Sequence, residues 1–363
     1  MLRALLCFVM ATCSAVAAAA LDIPEKPEGA IRFATYNVAL YGDRAGGLIA
    51  RLRNGADPQA RASAEIIQRV RPDVLLIQEI DRDDAGEALN LYLTRFLGVA
   101  QNGAEPIIYP HRLLLPTNTG VASGVDISGD GRVGREGILY AIDAKGYGVF
   151  PGQYGFSLVS MLPLGEARTF SDFLWRDMPG HRMQRKTPEA VREVLPLSSK
   201  THALIPVEVE GGPIYVAAAH PTPPINPAAI PRNADEIRFL VDLLHEARSH
   251  YATDDNGVVG GLPAGSYAVA MGDLNADPES EQSDALDGAI TYLLDDPRMN
   301  DPVPMSQEGA LTAAFRRASM RVDYVVPTAN LEVVQSGVVW PEDGSPLEDA
   351  SDHRLVFVDI KIP

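Results

Sequence analysis

Short apolar runs recur along this chain, and several of them end in a polar side chain. Residues 74–77 are continuously apolar, which is typical of a strand that is buried on both faces of a sheet. The other predicted strands lie at residues 31–38, 154–161, 202–209, 214–219, 267–271, 321–326, 331–339 and 354–360. A Gly-Gly-Pro segment at residues 211–213 predicts a hairpin between two of these strands.

Three stretches between the strands have the periodicity of amphipathic helices. One covers residues 58–71, where a proline opens the pattern, and a second covers residues 85–96. The third covers residues 233–250, with Asn233 as the predicted N-cap and Glu236 completing a capping box. Because strands and helices alternate, the pattern favours one layered α/β domain over two domains.

Two stretches interrupt the alternation and are interpreted as insertions within a domain that spans residues 21–363. Residues 101–152 are rich in glycine and contain short strand-like pieces at 107–109 and 138–140. Residues 165–200 combine aromatic, proline and basic residues.

Residues 1–20 have a basic start, a short apolar core and an alanine-rich end, which predict a cleavable signal peptide. The alternatives are a membrane anchor, although the run is short of the roughly 20 residues that a span needs, and lipid attachment at Cys13. Both cysteines, Cys7 and Cys13, lie in this segment, so the mature chain would contain no disulfide. The expected location is the periplasm or the outside of the cell, without a stable membrane anchor.

Composition limits the classes of partner. The 363 residues are 46% hydrophobic, so the chain can bury a large core. The net charge of −17 argues against a protein that binds nucleic acid by broad neutralisation of phosphates. A nuclease is still allowed, because divalent cations in an acidic cleft can receive a phosphate.

Polar residues at the ends of the predicted strands supply the candidate chemistry. They are Asn37, Glu79, His220, Asp273, Asn275, Asp323, Asp352 and His353. Oxygen ligands without cysteine suit Mg²⁺, Mn²⁺ or Ca²⁺ better than a structural zinc. Hydrolysis of a phosphate ester needs a cation, a carboxylate for the water and a donor for the developing charge, and all three are present. Taken singly, each residue also has a structural explanation, such as an Asx-turn.

These residues and their neighbours resemble, in the same order, the endonuclease/exonuclease/phosphatase superfamily with the deoxyribonuclease-I-like fold. The matching segments are Thr-Tyr-Asn-Val at 35–38, Arg-Pro-Asp-Val at 71–74 with Gln-Glu at 78–79, Ala-His at 219–220, Gly-Asp-Leu-Asn at 272–275, Arg-Val-Asp-Tyr at 321–324 and Ser-Asp-His at 351–353. Other segments look like a secreted bacterial branch of that family. The fold implied is a four-layered α/β sandwich, with two face-to-face mixed β-sheets flanked by helices.

The resemblance also implies a metal site. Glu79 would be the principal metal ligand, Asn37 would lie beside the metal and the phosphate, and Asp352 would be a further ligand. Mg²⁺ or Mn²⁺ is the expected ion.

The resemblance implies in-line attack of water on phosphorus, without a covalent enzyme intermediate. Asp273 would orient or deprotonate the water, while Asn275 and His220 contact the phosphoryl oxygens. Asp323 would fix the tautomer of His353, which faces the scissile phosphate. The chain departs from some nucleases of the family in one respect, because residues 153–155 offer no carboxylate to support His220.

Basic and polar residues elsewhere are candidates for contacts to an anionic substrate. They are Lys200, His202, Arg232, Asn233, Arg185 and Lys186. The predicted substrate is a phosphoester, either nucleic acid or a small phosphorylated molecule, with a slight preference for diesters. No basic stretch interleaved with aromatic residues indicates a track for a nucleic-acid backbone.

A separate segment resembles the start of a calcium loop, with side-chain oxygens on Asp126, Ser128 and Asp130 followed by Gly131. The expected glutamate at the twelfth position is replaced by Gly137. An Asp/Gly-rich turn is therefore the alternative to calcium binding.

Two other functions remain open from the sequence. One is a secreted metal-binding or ligand-binding protein that has kept the fold without turnover. The other is a phosphodiesterase that acts on lipids, which would need an exposed apolar loop at residues 147–150 or 170–175.

Overall fold

A computed structural model of the chain describes residue 21, residues 23–279 and residues 288–363. The predicted signal peptide, residues 1–20, lies outside these described residues. Within them, no helix combines the length and the apolar character that crossing a bilayer requires.

The strands alternate with helices as the sequence pattern indicates. The strands are β1 (Ile31–Leu40), β2 (Val74–Ile80), β3 (His111–Leu114), β4 (Phe156–Ser160), β5 (Arg168–Thr169), β6 (His202–Val207), β7 (Ile214–Ala219), β8 (Tyr267–Asp273), β9 (Ala313–Ala314), β10 (Ser319–Met320), β11 (Asp323–Pro327), β12 (Glu332–Val339) and β13 (Leu355–Lys361). The helices are α1 (Gly47–Leu52), α2 (Pro58–Val70), α3 (Glu87–Tyr92), α4 (Gly137–Asp143), α5 (Glu189–Arg192), α6 (Ala229–Leu243) and α7 (Thr291–Leu294). Short helical turns lie at Leu93–Leu97, Trp175–Asp177 and Glu348–Ala350.

Two mixed sheets form the centre of the fold. One has the strand order β12-β13-β1-β2-β4-β3 and the other has the order β11-β8-β7-β6-β5, while β9 and β10 form a separate pair. Strands β1 and β2 are parallel, as are β7 and β8, and the other named pairs are antiparallel.

Alternate residues of each strand fill different layers. On β1, Phe33 packs in the core between the two sheets, whereas Ala34 and Tyr36 belong to the core on the outer side. Helices α1, α2 and α3 contribute to that outer core, and α6 covers the outer side of the second sheet. The predicted four-layered sandwich with face-to-face mixed sheets is therefore confirmed.

Helix α2 begins and ends for the local reasons that its sequence supplies. The side chain of Asp57 accepts a hydrogen bond from Ala60 N at 2.9 Å, and Pro58 occupies the first helical position. Arg71 ends the helix in a left-handed conformation, with φ of 53°. The predicted helix over residues 58–71 is confirmed.

Helix α6 corrects the prediction of a helix over residues 233–250 with Asn233 as its N-cap. It begins four residues earlier, where Asn226 Oδ1 accepts hydrogen bonds from Ala228 N and Ala229 N, both at 3.0 Å. Pro231 is tolerated because it lies in the first turn, where the N–H groups lack intrahelical partners. The helix ends at Leu243 instead of residue 250.

The stretch at residues 101–152 also differs from its expected local structure. Residues 107–109 form no strand, although Ile107 and Tyr109 are buried and Tyr109 Oη donates to Pro72 O at 3.0 Å. Residues 138–140 lie in α4, and β3 supplies the edge strand of the six-stranded sheet instead. Residues that anchor a loop to the core thus have the same apolar composition as a strand.

The loop at residues 170–175 does not offer the exposed apolar surface that a phosphodiesterase acting on lipids would need there. Phe170, Phe173 and Trp175 are buried, and Phe173 stacks on Phe239 of α6 with a centroid separation of 4.8 Å. Trp175 Nε1 donates to Asp235 Oδ2 at 2.7 Å, which fixes the loop on the same helix.

Candidate active site

The predicted residues converge because they continue the strand faces that line the space between the sheets. On β8, Val269 and Met271 pack in the central core, so Asp273 continues the same face two residues further on. On β11, Val325 packs in that core, and Asp323 lies two residues before it, directly opposite Asp273 in the antiparallel register.

The same alternation places His220 and Asn37 at this end of the sandwich. Strands β7 and β8 run parallel and approach closely at Gly272, where an added Cβ would lie 1.9 Å from Ala219 O. Glycine at this position therefore allows His220 and Asp273 to lie side by side.

The Asp273 carboxylate is the centre of the site. Its Oδ2 atom accepts a hydrogen bond from Asn37 Nδ2 at 3.1 Å and lies 3.3 Å from His220 Nε2 and 3.7 Å from His353 Nε2. Its Oδ1 atom accepts from Asn275 N at 3.0 Å, which forms the Asx-turn considered from the sequence. Burial acts to raise the pKa of Asp273, but the nearby His353 and the hydrogen bond from Asn37 contribute to holding that pKa below its usual range.

Asp323 and His353 form a buried, charge-assisted pair. The Nδ1 atom of His353 lies 2.9 Å and 3.2 Å from the two carboxylate oxygens of Asp323. Burial opposes the charge on His353, but the Asp323 and Asp273 carboxylates outweigh it and raise its pKa to about 10. His353 is thus an imidazolium at neutral pH, and the loop before it is fixed by Ser351 Oγ, which donates to Asn37 O at 2.7 Å.

His220 is held differently from His353. It is buried, and among the described residues neither ring nitrogen makes a hydrogen bond, despite the 3.3 Å approach to Asp273. Burial lowers the pKa of His220, and the positive charge of Lys200 lowers it further, so the ring is neutral. In some nucleases of the family an acidic residue supports the corresponding histidine, and residues 153–155 of this chain offer none. Among the described residues no other group accepts a hydrogen bond from His220, so a ring nitrogen is available to a ligand in the site.

Glu79 reaches the site through a break in the strand pattern. Simple alternation would direct it toward the outer helices, because Leu75 and Ile77 pack in the outer core. Its φ of 57° breaks the alternation, and Glu79 Oε1 lies 3.9 Å from His220 Nε2. A non-glycine residue in this conformation is uncommon and is often found at functional sites.

The residues assigned to the metal by resemblance suit a hard cation. No hydrogen bond from the described residues occupies the Glu79 carboxylate, which is partly exposed, and Asp352 is also exposed. Asn37 Oδ1 accepts from Ala39 N at 3.1 Å. Carboxylate and amide oxygens are the donors that Mg²⁺ and Mn²⁺ prefer, and the unpartnered nitrogens of the neighbouring His220 leave it free to contact a phosphate.

A second group of donors lies deeper in the site. Ligand atoms of Asp273, Asp323 and His353 all lie within 4.8 Å of one another, which makes this trio a candidate cation site. A protonated imidazole cannot ligate a metal, and the Asp323 carboxylate already binds His353. We therefore interpret the trio as the acid–base cluster and Glu79 as the metal carboxylate.

Lys200 is the substrate candidate that the structure favours. Its side chain is 5% exposed, and its ammonium group makes no hydrogen bond or ion pair with the described residues. Burial lowers the pKa of Lys200, whereas the charges of Glu79 and Asp273 act to raise it. An unpaired ammonium on a buried residue is costly, so this lysine is suited to contact an anion that enters the site.

Three other substrate candidates make internal hydrogen bonds, and substrate contact remains a prediction for them. His202 is buried, with Nδ1 2.7 Å from Ser198 Oγ and Nε2 2.9 Å from Glu236 O. Asn233 Nδ2 donates to Thr222 O and Leu274 O, and it therefore fixes the loop after His220 to the turn after Asp273.

Arg232 likewise donates to backbone oxygens, those of Leu197, Lys145 and Pro196. These hydrogen bonds hold the loops on either side of Lys200. Arg185 and Lys186 are exposed, and contact with substrate remains a prediction for both.

The burial of His202 predicts a pH dependence of stability. Burial lowers its pKa from 6.5 to about 4, so between these values the unfolded chain binds a proton that the folded chain does not. Stability should therefore fall as pH falls, by about 3 kcal/mol from this residue between pH 7 and pH 4. Urea unfolding at several pH values should show a shallower pH dependence in His202→Gln than in the wild type. Equal slopes would contradict the assignment.

The segment from Asp126 to Asp130 folds as the Asp/Gly-rich turn that the sequence allowed as an alternative to calcium. Asp126 Oδ1 accepts from Ser128 Oγ and from Gly129 N, and Oδ2 accepts from Gly131 N at 2.7 Å. Asp130 Oδ1 accepts from Arg132 N at 2.8 Å. These bonds define the turn, and calcium binding at this segment remains a prediction.

Sequence reasoning missed two contributors to the site. Glu236, interpreted as part of a capping box, instead accepts from Ser199 N and Thr222 N, both at 2.6 Å, and so fixes the loops of Lys200 and His220. Thr312 Oγ1 accepts from Asp323 N at 3.0 Å. Neither residue has a local sequence signal, since both act on segments far away in the chain.

Comparison with known proteins gives a consistent picture. The sequence profile described as the Endonuclease/Exonuclease/phosphatase family matches residues 34–353. No curated protein sequence matches the chain.

Solved structures resemble the fold at low identity. A protein described as endonuclease/exonuclease/phosphatase from Beutenbergia cavernae DSM 12333 is 19% identical, with a TM-score of 0.51 over 92% of this chain and 72% of that one. An endonuclease/exonuclease/phosphatase family protein from Leptotrichia buccalis C-1013-b is 14% identical, with a TM-score of 0.51 over 91% and 99% of the two chains. The human Nocturnin catalytic domain, solved with a bound sulfate anion, is 15% identical, with a TM-score of 0.51 over 94% and 97%. At these identities the likeness concerns the fold alone.

Proposed function

The chain belongs to the endonuclease/exonuclease/phosphatase family, whose members hydrolyse phosphoester bonds, and from this we propose an exported, divalent-metal-dependent phosphoester hydrolase. The observation that carries the proposal is the buried Asp273 carboxylate, which contacts Asn37 and His220 and faces the Asp323–His353 pair. A carboxylate for water, an imidazolium for the phosphoryl oxygens and an unpaired lysine for the anion support hydrolysis at this one place.

In the proposed reaction, a water oxygen attacks phosphorus in line with the ester oxygen, the phosphorus–ester oxygen bond breaks, and the leaving oxygen takes a proton from solvent to depart as an alcohol. Asp273 orients the water and accepts its proton as the new bond forms. Its lowered pKa makes it a weak base, so it does not deprotonate the water before the attack begins. His353 donates from Nε2 to a phosphoryl oxygen and is held by Asp323 through Nδ1.

Three further residues bind the phosphoryl group in this proposal. Neutral His220 and the side chain of Asn275 contact its oxygens, and Lys200 offsets its charge. Mg²⁺ or Mn²⁺ bound by Glu79, with Asn37 and Asp352 beside it, would supply further charge neutralisation.

We propose a phosphodiester as the preferred substrate, as part of either a nucleic acid or a small phosphorylated molecule. A panel tests this proposal with plasmid DNA, RNA, bis(p-nitrophenyl) phosphate and phosphomonoesters, each with Mg²⁺, Mn²⁺ or Ca²⁺ and with chelator. The expected result is metal-dependent turnover that chelator abolishes. Metal binding without turnover of any ester would favour the non-catalytic binding protein.

Lys200→Met tests the anion-binding role of this lysine. The substitution should raise KM by about tenfold or more, because it removes a charge from a site that the phosphate enters. It should leave the protein at least as stable as the wild type in thermal unfolding, because it also removes an unpaired buried ammonium. Lys361→Met is the matched control, because Lys361 lies at the end of β13 that is far from His353. An unchanged KM in Lys200→Met would contradict the role.

Export is supported by the composition of residues 1–20 and by the absence of cysteine from residue 21 onward. Expression of the full chain in a bacterial host, followed by fractionation and N-terminal sequencing, should recover a periplasmic or secreted protein that begins at Leu21. An uncleaved cytoplasmic product would refute this part of the proposal.

A further inference from the structure

Three tyrosines form a continuous aromatic surface beside Glu79. The rings of Tyr41 and Tyr154 meet edge to face, with a centroid separation of 4.6 Å, and Tyr147 stacks against Tyr154 at 6.4 Å. Tyr147 is 50% exposed and Tyr41 and Tyr154 are half-buried, so the surface extends from the protein interior to solvent. We call this surface the tyrosine wall.

Backbone contacts place the tyrosine wall next to the metal carboxylate. Ile80 N, directly after Glu79, donates to Gly155 O at 3.1 Å, and Leu40 pairs with Ile80. Tyr154 and Tyr41 are the neighbours of Gly155 and Leu40 in the sequence. Burial raises the pKa of both tyrosines, and the charge of Glu79 raises it further, as expected for hydroxyl groups close to that carboxylate.

The tyrosine wall also borders the loop that carries Lys200. Gly146, directly before Tyr147, packs so closely that an added Cβ would lie 1.8 Å from Ser199 O. Asn118 joins the two segments, because its N–H donates to Lys200 O and its carbonyl oxygen accepts from Gly146 N. Backbone contacts therefore join the tyrosine wall to the two segments that carry Glu79 and Lys200, the groups that would flank a bound phosphate.

The local fold holds the tyrosine wall in place at an energetic cost. Tyr154 has a φ of 56°, which is unfavourable for a bulky residue and persists only where the surroundings impose it. Gln153 imposes it here, since its Nε2 donates to Gly42 O and its Oε1 accepts from Val149 N, both at 2.8 Å. The backbone at Tyr154 is thus held in a strained conformation, which fixes the direction of its ring.

The hydroxyl groups of Tyr41, Tyr147 and Tyr154 make no hydrogen bond to the described residues, so they are available to a ligand. We propose that the tyrosine wall binds a planar aromatic ring on the alcohol portion of the phosphoester, such as a nucleobase or another aryl group. This specificity role rests on the proposed function. Stacking on the tyrosine wall would bind any aromatic ring, whatever its sequence context. It would not require a long basic surface, which suits a chain with a net charge of −17.

Non-hydrolysable phosphonates test the proposal without requiring turnover. Phenylphosphonate and cyclohexylphosphonate carry the same anionic group and rings of similar size, but only the first has an aromatic face. Calorimetric titration of the wild type with Mg²⁺ should show at least about fivefold tighter binding of phenylphosphonate. A nucleoside 5′-phosphonate in the same assay distinguishes a preference for nucleobases from one for simple aryl groups, and tighter binding of either aromatic ligand supports the wall.

Variants locate the preference on the tyrosine wall. Tyr147→Ala should abolish it, and Tyr147→Phe should retain it, because the ring remains. Ile138→Ala, an exposed substitution on α4 in the same part of the chain, should leave it unchanged. Equal binding of the two phosphonates by the wild type, or an equal loss of both in Tyr147→Ala, would mean a general apolar surface and would overturn the proposal.

The assay separates this inference from the proposed function. Turnover of phosphoesters without any preference for phenylphosphonate would refute the tyrosine wall alone. A phenylphosphonate preference that Tyr147→Ala removes, in a protein that hydrolyses none of the esters, would refute the hydrolase and leave the tyrosine wall standing.

Discussion

Asp273→Asn is expected to lower kcat by at least about 100-fold with little change in KM. Asparagine keeps the shape of the side chain, and its oxygen can still accept from Asn275 N. It cannot accept a proton from water, and it places an uncharged group beside His353 and His220. Steady-state hydrolysis of bis(p-nitrophenyl) phosphate at saturating metal measures the effect.

Asp343→Asn is the matched control, because Asp343 is an exposed carboxylate outside the site. Its kcat should equal that of the wild type. Asp273→Asn activity within threefold of the wild type would exclude water activation by Asp273. Recovery of Asp273→Asn activity at high metal concentration would instead identify Asp273 as a metal ligand.

The layers of the fold were predictable because strand composition and helical periodicity are local properties of the sequence. The run at 74–77 has no polar residue, and it is buried on both faces in β2. The errors arose where a distant partner decides the local structure. Asn233 has the residue type of an N-cap, but its side chain donates to Thr222 O and Leu274 O. The helix begins at Ala229 instead, after Asn226 has accepted hydrogen bonds from Ala228 N and Ala229 N.

The strand-end residues of the site were predictable for a related reason. Asp273 and His220 each lie two residues after an apolar residue of the central core, and Asp323 lies two residues before one. The alternation of side chains along a strand therefore directs all three toward the space between the sheets. Glu79 was a candidate because it follows the apolar run at 74–77, but its positive φ breaks that period, and simple alternation would have directed it away from the site.

The surroundings of the site depended on the three-dimensional packing. Lys200 and His202 are two residues apart and were equal candidates, yet both ring nitrogens of His202 are hydrogen-bonded in the core, whereas the charges of Glu79 and Asp273 act on Lys200. Tyr154 was assigned to a strand by composition, but its φ of 56° excludes it from β4. The sequence gives no sign of which side chain a loop will direct inward.

Asp323→Asn and His353→Gln are expected to be strongly non-additive. Each should lower kcat by roughly 100-fold to 10,000-fold, because the imidazolium must be both charged and held in one orientation to stabilise the phosphoryl oxygens. Asp323 acts through His353, which it contacts at 2.9 Å. The double variant should therefore be hardly slower than His353→Gln alone.

The pH profile distinguishes this positioning role from a structural one. The carboxylates of Asp323 and Asp273 raise the pKa of His353 to about 10, so the wild type should keep the imidazolium throughout the neutral range. In Asp323→Asn that pKa should fall, and the residual activity should decline as pH rises to values where the wild type is still active. Multiplicative losses in the double variant, or a pH profile in Asp323→Asn that matches the wild type, would show that the two residues act independently. Circular dichroism and thermal unfolding of each variant exclude a loss of fold as the cause.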